Sequence, residues 1–166
     1  MDDQTLAELL PAVANHIEGA YNFQQILPPA PEIRFGGSFS VQYGDALVCM
    51  RIQTPAALLI TAGVAVDVTW SDALLAHLND INANMLMVGR LFGKEYEGEG
   101  RGKGIVLMQE SLECECIEVG PSVNVIKDVC ARVMGMAARV IPELCQRHNG
   151  RPPHPDAQLQ IETYSI

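Results

Sequence analysis

Residues 38–70 read SFSVQYGDALVCMRIQTPAALLITAGVAVDVTW, and the fold turns on this run. Ser38 to Tyr43 alternates, the period of a strand with one buried face. Gly44-Asp45 is a two-residue hairpin signal, because these residues accept the backbone angles of a tight turn. The chain returns from Ala46 to Gln53, rich in Leu47, Val48, Met50 and Ile52. Thr54-Pro55 makes a break, since proline cannot donate to a sheet. Leu58 to Thr69 predicts a third strand, with Val64, Val66 and Val68 on one face and Ala65, Asp67 and Thr69 on the other. Gly63 marks a bulge or close packing. Three strands with such short links imply an antiparallel meander.

Downstream, Ser71 is a good helix N-cap and Asp72 suits the positive end of the helix dipole. Trp70 before the cap and Leu75 in the first turn predict a hydrophobic staple. The helix face runs Leu74, Leu75, Leu78, Ile81, Met85 and ends near Gly89. Leu91 to Glu97 predicts a fourth strand, Gly98 to Gly104 a turn, and Gly104 to about Ile117 a fifth strand. A long helix follows from Val123 to Arg147, with the stripe Val125, Ile126, Val129, Val133, Met136, Val140, Leu144. Pro142 is expected to kink or loosen its last turn. Upstream, Leu6, Leu9, Leu10, Val13 and Ile17 give helical spacing that Pro11 interrupts. Pro28, Pro29 and Pro31 make 21–37 a connector, and Pro152, Pro153 and Pro155 make 148–166 an extended tail. The expectation is one α+β domain over residues 1–147. Its antiparallel five-stranded sheet has the order α-βββ-α-ββ-α, with one face under the first and last helices.

The bulk numbers exclude some functions. Lys and Arg total 11 against 20 Asp and Glu, a net charge of -9. A nucleic-acid binder needs a basic footprint, and the one basic cluster, Arg101 and Lys103, sits among glycines and glutamates. An acidic surface repels anionic membranes and suits a partner that is itself basic. Five cysteines is an odd number, and Cys49 and Cys130 lie in apolar surroundings, where thiols behave as small hydrophobes. With no apolar run of signal-peptide or membrane-spanning length, the expected location is the cytoplasm.

No catalytic set is legible. Gly98 to Gly104 contains Lys103, but a phosphate-binding loop has Ser or Thr after the lysine and opens a helix; here a strand follows. A hairpin turn is the expected reading. Cys114-Glu115-Cys116 has one-residue spacing and no answering pair, so two packed thiols are favoured over zinc. His16, His77, His148 and His154 are scattered, and His77 reads as a partly covered surface histidine. Glu95, Glu97 and Glu99 read as a solvated strand face. Neither a metal nor a cofactor is expected.

The element order resembles the type III secretion chaperone-like fold and its YbjN-like relatives among bacterial proteins. The residues carrying the likeness are Leu78-Asn79-Asp80-Ile81-Asn82 followed by Gly89-Arg90-Leu91-Phe92, similar to an Asn-x-x-Asn helix leading into a strand. The final helix, Val123 to Leu144, falls where that family places its last element. The likeness spans about Phe35 to Leu144. It implies a non-enzymatic homodimer that binds an extended segment of a client protein, often by adding a strand to the sheet. The alternatives are a small-ligand or enzymatic module, using the Glu95 to Lys103 loop or Cys114 and Cys116, and a structural subunit of an assembly. Strands apolar on both faces, and a middle helix with its own stripe, argue further for a dimer through Leu74, Leu78, Ile81 and Met85.

Overall fold

The alternation of residues 38–69 becomes a meander. The computed structural model describes residues 24–27, 38–43, 46–54, 57–84, 89–113 and 121–154. They form strands β1 (Gln24–Leu27), β2 (Ser38–Tyr43), β3 (Ala46–Thr54) and β4 (Ala57–Thr69), helix α1 (Asp72–Asn84), strands β5 (Arg90–Glu95) and β6 (Lys103–Glu113), and helix α2 (Pro121–Arg147). A short 3-10 turn, Gly98–Gly100, lies between β5 and β6. One sheet runs β1-β2-β3-β4-β6-β5, with every pair antiparallel. The chain is therefore α+β. The first expected helix, residues 2–19, lies outside the described residues.

The sheet has six strands among the described residues, not five. The additional one, β1, lies within the stretch read as a connector and pairs with β2. Four residues are too few to display a period, and the prolines that follow are tolerated beside an edge strand.

Strand β4 is bulged. Its register against β6 shifts between Gly63 and Ala65, where the glycine forecast it, and again between Ala65 and Val68. Asp67 sits at φ 58 within the second shift. The bulges break the expected alternation: Val64, Ala65 and Val68 join the helix-side core, whereas Val66 joins Cys49, Ile105 and Leu107 on the opposite face.

Strand β4 also outruns β3, whose pairing ends at Leu47 opposite Gly63. The exposed edge beyond would carry unpaired backbone groups. Residues after α2 fill it. Val66 N–H donates to Arg151 O and Arg151 N–H to Val66 O, both 2.9 Å, and Thr69 N–H donates to His148 O at 2.7 Å. The expected tail is thus corrected: residues 148–151 belong to the body. Gly150 permits the approach, since a Cβ there would stand 2.6 Å from Val68 Cγ1.

Helix α2 continues through Pro142 to Arg147. It ends in a Schellman motif, with Asn149 at φ 53 and Gly150 N–H donating to Cys145 O at 3.0 Å. Both helices cover one face of the sheet. Val133, Ala137, Val140 and Leu144 of α2 are buried in the same cluster as Leu74, Leu78 and Ile81 of α1. Burying each Leu or Ile contributes about 1.5–3 kcal/mol. This corrects the expected dimer interface: Leu74, Leu78 and Ile81 are covered by the chain's own sheet and helix. Met85 lies outside the described residues. No described helix is long and apolar enough to cross a membrane.

The start of α1 follows its sequence signal. Ser71 Oγ accepts the N–H of Leu74 at 3.2 Å, the N-cap bond. Trp70 is held by the sheet: a Cβ at Gly93 would lie 2.9 Å from its ring, and one at Gly104 2.7 Å. Leu75, the expected staple partner, is 38% exposed.

Candidate functional site

Among the described residues strand β5 ends the sheet, and its backbone polarity follows from the register. Tyr96 N–H donates to Lys103 O at 2.9 Å, so Lys94, Phe92 and Arg90, in phase with it, direct their peptide groups to β6. Leu91, Gly93 and Glu95 direct theirs outward. At Leu91 the outward groups are taken by a side chain: Asn82 Nδ2 donates to Leu91 O and Leu91 N–H donates to Asn82 Oδ1, each at 2.8 Å. A primary amide carries one acceptor and two donors, so it reproduces a neighbouring strand's peptide group. Helix α1 thereby fixes the beginning of β5. Among the described residues, no group meets the outward backbone at Gly93 or Glu95.

An open hollow of about 570 Å³ lies at this corner, lined by Leu59, Asn82, the start of β5 and residues 109–111 of β6. Gly89 N–H donates to Glu110 Oε2 at 2.5 Å, closing one side. Gly89 has φ 73, which favours glycine where the chain turns into β5. Gln109 Nε2 donates to Thr61 Oγ1 at 3.2 Å on the sheet face away from the helices.

The β5–β6 hairpin is the turn that the glycine run predicted. Gly98 and Gly102 have φ 66 and 87. Glu95 Oε1 accepts the N–H of Gly102 at 2.9 Å, so this carboxylate braces the hairpin rather than lining a solvated face. Arg101 N–H donates to Gly98 O at 3.2 Å, and strand β6 follows the turn, so the run lacks the helix start that a phosphate-binding loop opens.

A second hollow, about 300 Å³, lies where β4, α1 and the end of α2 meet, lined by Thr69, Ser71, Ala73, His77, Arg147, His148 and Asn149. The structure joins two histidines that looked scattered in the sequence. His77 Nδ1 and His148 Nε2 are 2.9 Å apart. The ring centroids are 5.2 Å apart, about as far as that contact allows, so the nitrogens point at one another. This is a head-on hydrogen bond, not two lone pairs converging on a metal. On the far side of its ring, His77 Nε2 lies 3.2 Å from both Glu143 Oε1 and Arg147 Nη1. Two neutral arrangements each satisfy the bond between the rings and one of the two contacts at His77 Nε2. Either His148 donates to His77, which donates to Glu143, or Arg147 donates to His77, which donates to His148. Burial lowers the pKa of His148, and the neighbouring His77 and Arg147 lower it further, against an opposing pull from Glu143.

Of the other sequence candidates, His154 is exposed, and His16, Cys114 and Cys116 lie outside the described residues. Among the described residues, no three His, Cys, Asp or Glu side chains gather to hold a metal ion. Compared with known proteins, the chain matches no family model, no curated protein and no solved structure.

Proposed function

We propose that this chain is a non-enzymatic binding module that takes up an extended segment of a partner protein along the outer edge of β5. The observation carrying this reading is the outward backbone of a terminal strand, already paired at Leu91 by the Asn82 amide and presented onward at Gly93 and Glu95. An added strand would continue that pairing, with its side chains resting beside Phe92 and the neighbouring hollow. Each backbone hydrogen bond contributes about 0.5–1.5 kcal/mol net, so a pairing this short binds weakly without side-chain contacts. The resemblance of the element order to secretion chaperones points to the same class of activity. Dimerisation through α1 is no part of this reading, because its apolar stripe is core.

The His77–His148 hollow is the site that a small-ligand or enzymatic reading would use. Its imidazoles bond to each other, to Glu143 and to Arg147, which suits a joint between α1 and α2 better than a reaction centre.

Selection from a displayed peptide library, followed by amide hydrogen exchange, tests the proposal. Selected peptides should slow exchange at Gly93 and Glu95. Protection confined to other elements, or no selected binder, would count against it.

A further inference from the structure

We infer that the segment taken up on β5 is acidic, an extended stretch in which carboxylates alternate with apolar side chains. This rests on the edge-binding reading above and adds the chemistry of the partner. Arg90, Phe92 and Lys94 stand opposite Gln109, Leu107 and Ile105, and therefore share the sheet face away from the helices. Along the edge, that face reads cation, aromatic ring, cation. Neither Arg90 nor Lys94 has an ion pair among the described residues.

Over the stretch where β5 and β6 pair, the carboxylates are sorted away from that face; Glu113, in phase with it, lies four residues past Gln109, where the pairing ends. Glu95 and Glu110 fall on the helix side by register, and each accepts a backbone N–H, from Gly102 and Gly89 respectively. Glu97 and Glu99 lie beyond the strand, at the turn. Lys103, two residues before Ile105, shares the face of the cations, and Arg101 is exposed beside it. Four of the chain's 11 Lys and Arg residues thus fall within residues 90–103. An added strand places alternate side chains beside Arg90, Phe92 and Lys94. Opposite charges across strands attract and like charges repel, so acidic, apolar, acidic is the favoured pattern. The overall charge of -9 suggests a basic partner. The local arrangement reverses that expectation, because a bound strand meets the nearest charges first and salt screens the distant ones.

Three labelled synthetic peptides test the inference: alternating Glu and Val, Lys and Val, and Ser and Val. Fluorescence anisotropy gives the affinities, and amide exchange at Gly93 and Glu95 gives the location. The acidic peptide is expected to bind roughly tenfold tighter than the basic one, weaken as salt rises, and lose that advantage in Arg90→Glu/Lys94→Glu. Should the double variant misfold, Arg90→Gln alone, at an exposed position, is expected to weaken acidic-peptide binding. If the neutral or basic peptide protects β5 as well as the acidic one does, the charge inference is overturned and edge binding stands. If no peptide protects Gly93 and Glu95, edge binding fails and the inference falls with it.

Discussion

Asn82 replaces a stretch of strand with one side chain, and its removal has a calculable effect. Asn82→Ala leaves the N–H and C=O of Leu91 without their amide partner, a loss of about 1–3 kcal/mol. Asn82→Asp keeps an acceptor for the N–H but has no donor for the C=O, so its denaturation midpoint should fall between the two. Ser71→Ala removes the cap of α1 and should lower stability by about 1 kcal/mol, measured by urea unfolding. The cap was legible because its logic is local: a hydroxyl, then an acidic first turn. The His77–His148 bond was not, because its partners stand 71 residues apart and neither position carries a periodic signal. Glycine at 104 had a reason that sequence could not supply. A Cβ there would lie 2.5 Å from the Lys94 carbonyl oxygen and 2.7 Å from the Trp70 ring. Gly104→Ala is therefore expected to destabilise by about 1–3 kcal/mol, by the same measurement.

The bounds of β2, β3 and β4 could be read to within a residue, since alternation, turn residues and a proline break all agreed. The misreadings arose where an element's role depends on what faces it. The stripe of Leu74, Leu78 and Ile81 has one appearance whether it meets a second copy or its own core, and here it meets the core. Leu78→Glu separates the two cases. A carboxylate placed where Leu78 is 3% exposed should unfold the chain rather than divide a dimer. Circular dichroism together with sizing distinguishes the two: loss of helical signal fits a core position, and a folded half-mass species fits an interface. The bulges of β4 were half legible. Gly63 announced the first, but the second falls at Asp67, whose N–H donates to the Tyr96 hydroxyl at 3.2 Å and whose carboxylate accepts from Arg151 Nε at 2.7 Å. Those partners come from distant elements, so the bulge left no mark in the alternation.

For the molecule as a whole, the histidine joint couples stability to pH. The native pKa of His148 lies below the ordinary value of 6.5, so it refuses a proton that the unfolded chain accepts. The unfolded state binds more protons between the two values, and stability declines as pH falls below about 6.5. Urea midpoints measured across that range should show the decline, and His148→Gln should flatten it. A second molecule-wide consequence belongs to the closure of β4 by residues 148–151. Arg151 and Asp67 are 84 residues apart in the chain, so during synthesis β4 leaves the ribosome long before the segment that seals its edge. For that interval the nascent protein carries a raw sheet margin, open to pairing with other nascent chains. Arg151→Pro removes the donor to Val66 and would prolong that exposure. The resulting protein should partition into the insoluble fraction on expression even where the fraction that matures is well folded.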